Sequence, residues 1–405
     1  MQKKYILLLT FLLVCIGNFA LIDNRFLPLY HNIFIRRYEK RSNINSNFFM
    51  MLAHDSRLDG NNEANIFDIY GKYDLIQITR SLESVGKTNP LKPEWQLAKD
   101  LVFDVPSKIN AQGIWFSTEL NLIPCFYVGA RGALMHLNSS QRFSISETIL
   151  KDLHLSDGGK ILLDQERRES SCLLGITGEQ WSVTGITDLD LYLRVGQIKE
   201  YTHKFKLIDY GFYLGLYLPV GTKRDICNSA SIPLGGNGLT GLYGMFDINL
   251  EVKEDWWAGG WLQVVHRFAK NQKMRIPYNK EDQLFGALVE TVYIDSGITV
   301  GASAYFRVLD FREGLGGLIQ YTIIKHFEDE FPYLTNRTVA NDLETHSSWL
   351  HEYFTVGIIY DINHAVEGKK YDPYLYINFD APVYFVGAAD VPKTFKLSLG
   401  IEINF

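Results

Sequence analysis

An all-β fold, a transmembrane antiparallel up-and-down barrel of about twelve strands, is predicted by three features of the sequence. The first is period-two alternation. From Phe395, the residues Phe395, Leu397, Leu399, Ile401, Ile403 and Phe405 share one face, while Lys396, Ser398, Gly400, Glu402 and Asn404 share the other. One apolar face and one polar, charge-bearing face suit a sheet between lipid and water. The second is length: the alternating runs reach about ten residues, enough for a tilted membrane strand. The third is that short and long connections alternate along the chain, as in bacterial barrels. The composition agrees, with 23 Tyr, 25 Phe and 33 Gly against only 12 Pro in 405 residues. With 21% charged and 46% hydrophobic residues, the chain is neither disordered nor of low complexity. A net charge of −6 argues against nucleic acid as a partner.

Residues 1–20 have the layout of a secretory signal peptide: Lys3 and Lys4, an apolar run from Ile6 to Ile16, then small and polar residues ending at Ala20. The apolar run is too short to span a membrane as a helix. Val14 precedes Cys15 where a lipidation signal has a small residue, so lipidation is not expected. Cys125, Cys172 and Cys227 would remain after cleavage, an odd number that gives no disulfide framework and leaves one pairing open. No later stretch reads as a membrane helix.

Residues 21–94 stand outside the alternation and form an N-terminal segment that is periplasmic, a plug or partly disordered. Within it Leu75, Ile78 and Leu82 have helical spacing behind Asp74, a good N-cap. The barrel is assigned to 95–405. Its strands are expected near 95–105, 111–122, 125–137, 181–196, 206–219, 239–253, 255–268, 297–311, 314–326, 348–362, 371–382 and 393–405, the first carrying the weakest pattern. With the C-terminus on the periplasmic side, short turns fall near 123–124, 197–205, 253–255, 312–314 and 363–370. External loops fall at 106–110, 138–180, 220–238, 269–296, 327–347 and 383–392. This parity requires 284–294 to be loop and not strand, so it is assigned to a loop. In the 138–180 loop, Ser144 and Glu147 resemble a capping box.

The inward faces of these strands carry the candidate functional residues. Asp188, Asp190, Arg194, Asp247, Glu251, Arg307, Lys396 and Glu402 fall on one side. They either tune the passage of ions or solutes or close a narrow interior with salt bridges; twelve strands leave room for both readings. Trp256, Trp257, Trp261, Tyr353, Phe354, Tyr374, Tyr376, Tyr384 and Phe385 are expected to form an interfacial girdle. No metal ligand set or cofactor motif is present. The Gly235–Gly238 and Gly314–Gly317 runs lack the lysine and strand–helix context of a phosphate loop. His54 and Ser56 loosely resemble the His-x-Ser pair of outer-membrane phospholipases and lipid A deacylases, but precede the assigned barrel, so no catalytic residue is assigned.

The terminal Phe405, with Ile403, Ile401, Leu399 and Leu397 alternating behind it, resembles the C-terminal strand of Gram-negative outer-membrane proteins. The resemblance implies a bacterial outer-membrane location, contact with its lipid, and recognition of Phe405, Ile403 and Ile401 by the barrel-assembly machinery. The run 206–219 leading into Pro219-Val-Gly221 resembles uncharacterised transporter-like outer-membrane proteins, including relatives of the long-chain fatty-acid channels, although the N-terminal hatch of those channels has no sequence counterpart. The whole chain also resembles hypothetical outer-membrane proteins of intracellular bacteria. The expectation is a passive channel or transporter for small solutes through a charged lumen, not an enzyme. The alternatives are a plugged structural or surface-interaction barrel and a barrel-embedded lipid hydrolase.

Overall fold

The structure, a computed structural model, describes residues 24–29, 34–36, 41–59, 62–146, 149–150, 153, 156–202, 204–364 and 370–405. Residues 1–20, where a signal peptide is expected, lie outside them, Cys15 included.

Twelve antiparallel strands close on themselves. They are β1 (Asn43–Ala53), β2 (Ser107–Ile123), β3 (Phe126–Gln141), β4 (Gln180–Ile186 and Leu189–Thr202, two runs of one interrupted strand), β5 (Phe205–Leu218) and β6 (Gly241–Lys253). Then follow β7 (Trp256–Arg267), β8 (Thr299–Arg312), β9 (Leu315–His326), β10 (Trp349–Asp361), β11 (Asp372–Pro382) and β12 (Phe395–Asn404). Each strand pairs with its sequence neighbours, and β1 pairs with β12 to close the ring, Asn43 opposite Asn404 and Leu52 opposite Phe395. Closure leaves no edge, so strand N–H and C=O groups need no partner in lipid.

Inward and outward positions alternate as the sequence predicts. Leu193, Val195, Phe212, Leu214, Phe246, Leu262, Ile319, Ile358, Ile377, Leu397 and Leu399 are exposed on the outside, while the residues between them are buried. Large apolar side chains turned outward from every part of the ring make sense only against lipid. The short connections gather at one end. Glu313 (φ 52°) and Gly314 (φ 83°) both adopt the left-handed conformation that a two-residue hairpin requires, and Asp255 (φ 62°) and Cys125 (φ 77°) take up the same region in their turns. The long connections gather at the opposite, external end.

The barrel begins at residue 43 and not at 95. In the stretch 95–105 only Phe103–Asp104 is strand, paired with Ser144–Ile145 outside the barrel. The twelfth strand is β1, between β12 and β2. Its alternation is hidden because both faces are apolar at its external end. Phe48, Met50 and Leu52 point outward, while the inward Phe49, Met51 and Ala53 join an apolar cluster with Phe67, Leu75, Ile76 and Ile78. That cluster forms because α1 (Leu75–Ser84), capped by Asp74 through Ile76 N–H at 3.0 Å as expected, folds back onto the inner face of β1–β3.

The stretch 284–294 is partly strand, which corrects its assignment to a loop, but that strand stays out of the barrel and the parity of the barrel holds. Leu288–Ile294 instead pairs with Lys270–Ile276 in a separate hairpin within the 268–298 excursion. The 142–179 loop carries α2 (Asp157–Leu174), whose N-cap is Ser156 rather than Ser144; Glu147 lies outside the described residues. A third helix, α3 (Arg337–Ser347), sits in the 327–348 loop.

The aromatic girdle is corrected in part. Trp257, Trp261, Tyr353, Tyr374 and Tyr376 are buried inside the barrel, because strand parity turns them inward. Trp256 remains outside, against Phe306 at 5.7 Å between centroids, and Phe385 is exposed on an external loop.

Candidate functional site

The interior of the barrel holds a ladder of ion pairs around two buried stretches of the chain that precede β1. These are Asn24–Leu29 and Phe34–Arg36, and β1 begins at the short-turn end. At the external end, the Asn24 side-chain amide donates to Pro233 O at 2.9 Å, and Arg25 donates to His346 O at 2.9 Å. Further down, Arg36 meets three carboxylates from three strands: Glu119 of β2 (Nη2 to Oε2, 3.0 Å), Asp209 of β5 (2.9 Å) and Asp247 of β6 (3.1 Å). It also donates to the Tyr213 hydroxyl at 2.6 Å.

Arg194 on β4 shares two of those carboxylates, Asp209 at 2.7 Å and Asp247 at 2.9 Å. Two guanidiniums thus face three carboxylates. Asn249 donates to Asp209 at 3.0 Å. The slot for Arg194 is cut by Gly196 and Gly211, which oppose one another in the β4–β5 register. A Cβ on Gly211 would stand 2.5 Å from the Arg194 Cζ.

The sequence-predicted residues all face inward and are buried, but they do not form one site. Arg194 and Asp247 belong to the Arg36 cluster. Arg307 pairs with Glu402 at 3.2 Å nearer the short turns. Asp190 accepts from Tyr243 at 2.8 Å and faces Arg131 at 3.6 Å. Lys396 pairs with Asp380 at 2.7 Å. Asp188 sits at the break in β4, where it accepts from Gly221 N–H (3.1 Å) and Gly236 N–H (2.8 Å) and pairs with Arg267 at 2.7 Å. It therefore anchors the 219–240 loop. Glu251 accepts from Asp255 N–H at 3.1 Å and closes its own hairpin. Arg36, Glu119, Asp209, Arg131 and Arg267 were not among the predicted residues. Asp209 shares the inward parity of Gly211 and was open to the same reasoning; Arg36 has no periodic neighbour to reveal it.

Above these pairs, at the external mouth, lies a cavity of about 570 Å³. Its walls are the 219–240 loop, the Lys270–Ile294 hairpin and the 327–348 loop. Asn24–Phe26, from the first of the buried stretches, also line it. Ser56 is not poised for catalysis: its hydroxyl donates to Asn65 O at 2.7 Å, and His54 is exposed. Cys125, Cys172 and Cys227 are free thiols.

A closed twelve-stranded barrel with a lipid-facing apolar surface, short turns at one end and long loops at the other defines the class: this is a bacterial outer-membrane β-barrel protein. No family model and no curated protein matches the sequence. Solved structures similar to it include an outer-membrane channel from Pseudomonas putida F1, 11% identical with a TM-score of 0.49, covering 92% of this chain and 100% of that one. A FadL homologue from Pseudomonas aeruginosa is 7% identical with a TM-score of 0.33, covering 91% and 90%. The translocator domain of the autotransporter NalP from Neisseria meningitidis is 7% identical with a TM-score of 0.36, covering 89% and 88%.

Proposed function

We propose that the protein is an outer-membrane transporter for small solutes, with entry at the external cavity and diffusion through the barrel once the buried residues that precede β1 move aside. The observation that carries this reading is that one short segment serves both places. Asn24–Phe26 line the cavity, and Arg36, a few residues on, ties that segment to Glu119, Asp209 and Asp247. Movement at the mouth is thereby linked to the ionic contacts that fill the interior.

The chemistry of those contacts favours a reversible closure over a permanent one. Buried ion pairs add little net stability beyond what apolar packing of the same volume gives, because desolvation offsets their attraction. Their charges regain hydration when water enters. With the segment displaced, Arg194, Asp247, Arg307 and Glu402 would line the path and bias which solutes pass. Recognition of Phe405, Ile403 and Ile401 by the assembly machinery belongs to the same reading, as does the absence of an enzymatic role.

The test is conductance in planar bilayers, comparing the wild type with a variant lacking residues 24–36. Both must first show heat-modifiable gel mobility. Low or brief conductance in the wild type and large steady openings in the deletion are expected. A folded deletion variant without conductance would overturn the transporter and favour a closed barrel whose long loops bind partners.

A further inference from the structure

The external cavity is far more basic than the chain that forms it. Its lining contains seven Lys and Arg residues against two Asp, in a protein of net charge −6. Of the seven, Arg267 is paired with Asp188. Among the described residues, no carboxylate lies within salt-bridging distance of Arg25, Lys223, Arg224, Lys270, Lys273 or Arg275. The two acids of the lining are engaged locally. Asp225 accepts from Cys227 N–H at 2.9 Å, and Asp329 accepts from Gly297 N–H at 2.9 Å and lies 3.2 Å from His326.

Four of these cations, Arg25, Arg224, Lys270 and Arg275, are held by groups that carry no charge. Arg275 donates to Ile226 O (2.6 Å), Leu174 O (3.0 Å) and Gly286 O (3.2 Å), and Lys270 donates to Gly238 O at 3.1 Å. Carbonyls fix a cation's position but leave its full charge. Arg25 and Arg224 both lie over the Tyr70 ring, with Cζ 4.3 and 4.6 Å from its centroid. A π-face holds two like charges close together at modest cost. Burial pushes the Tyr70 phenol up, but Arg224 and Arg25 beside it outweigh that and hold it below its ordinary value. Arg224 Nη2 is buried and, among the described residues, has no hydrogen-bond acceptor. A buried guanidinium nitrogen left without an acceptor is costly and marks a place for an anionic oxygen.

We propose that this cavity is a binding site for a soluble small molecule carrying two or more phosphoryl or carboxylate groups. The volume lies within the range of about 300–1,000 Å³ found for small-ligand pockets. The site is walled by loops above the barrel axis and lies away from the lipid-facing surface, which favours a soluble anion over a lipid headgroup. Binding does not require permeation, so the site stands whether or not the barrel conducts.

The experiment is calorimetric titration of the full-length protein in detergent, with tripolyphosphate and citrate as probes. Lys223→Gln/Lys273→Gln changes two exposed residues and leaves the barrel intact. Arg224→Gln tests the guanidinium whose Nη2 is buried. At least one probe should bind the wild type, more weakly as salt rises. Both variants should bind it about tenfold less well or worse. Lys199→Gln, an exposed change far from the cavity, should leave binding unchanged. Absence of binding to both probes, equal affinity in the cavity variants, or an equal loss in Lys199→Gln would overturn the site. Purified lipopolysaccharide is the third arm: binding to it alone would replace the soluble anion with a lipid headgroup and sink the proposal as stated.

Discussion

Arg36 Nη1 stands 2.9 Å from Asp209 Oδ2, joining a segment outside the strand pattern to the middle of the barrel wall. Arg36 is only 2% exposed, and its removal leaves Asp209 and Asp247 with Arg194 and takes from Glu119 the guanidinium it binds. Breaking a buried pair from one side costs roughly 3–5 kcal/mol where the remaining charge stays dry. Under the proposed opening, water reaches these carboxylates, which relieves part of that penalty. Arg36→Ala should therefore raise single-channel conductance and lower the temperature at which the folded gel band converts to the unfolded one. Arg36→Ala/Asp209→Asn, which removes one of the stranded charges, should recover part of that temperature while keeping the raised conductance. An Arg36→Ala protein as closed and as heat-stable as the wild type would show that the contact locks nothing.

Gly211 and Arg194 make a second coupled pair. The glycine leaves the volume that the guanidinium fills, and no other residue type fits at that separation. Gly211→Ala should push Arg194 from its contacts with Asp209 and Asp247 and destabilise the barrel by about 1–3 kcal/mol, as overpacking does. Urea unfolding in lipid vesicles measures this. The same substitution at Gly244, whose Cβ would meet only the Phe212 ring edge at 3.3 Å, should cost clearly less. Equal costs at the two positions would refute the steric account.

The facing of β12 yields a third expectation. Leu399 is 55% exposed on the outer surface, opposite Phe48 and Ile377 on the adjacent strands, near the middle of the strand. Leu399→Arg should cost about 2–4 kcal/mol if that surface meets lipid at mid-membrane. Ser398→Asn, on the inward side, should stay within about 1 kcal/mol. Equal tolerance of both would mean that the outer face of β12 is not in lipid.

What could be seen in the sequence follows from where water and lipid meet the chain. β4–β12 separate an apolar outer face from a polar inner one, so period two marks them, and the turns fall close to their expected places. β1 was missed because Phe49, Met51 and Ala53 pack against α1, which makes its inner face apolar too. The same principle explains the candidate site. Arg194 and Asp247 lie on alternating strands and were visible. Arg36 lies on an irregular segment, and the cavity's cations are scattered over Arg25, Lys223 to Arg224 and Lys270 to Arg275. Only tertiary folding of separate loops collects them. The misassigned girdle has a related cause: aromatic residues near strand ends suggest an interface, but parity alone decides that Trp257 and Tyr353 turn inward.

Glu352 is the one buried carboxylate of β10, and it sits where strand parity points outward, between the exposed Val356 and the external rim. A charge on that face needs full satisfaction to persist beside lipid. It receives it from the 383–392 loop: Gly387 N–H at 2.8 Å, Phe385 N–H at 2.9 Å and Val386 N–H at 3.0 Å, with the Tyr321 hydroxyl at 2.6 Å. The carboxylate thereby folds this loop over the outer rim and holds Phe385 beside Tyr321, 5.9 Å between ring centroids. Glu352→Ala should release the loop while leaving the strand ladder intact. Limited proteolysis should then cut within 383–392 several times faster, with heat-modifiable mobility unchanged. Glu352→Gln keeps one good acceptor oxygen and should give an intermediate rate. Protection of the loop in Glu352→Ala would show that packing of Phe385 and Val386 holds it, and that the carboxylate is a passenger.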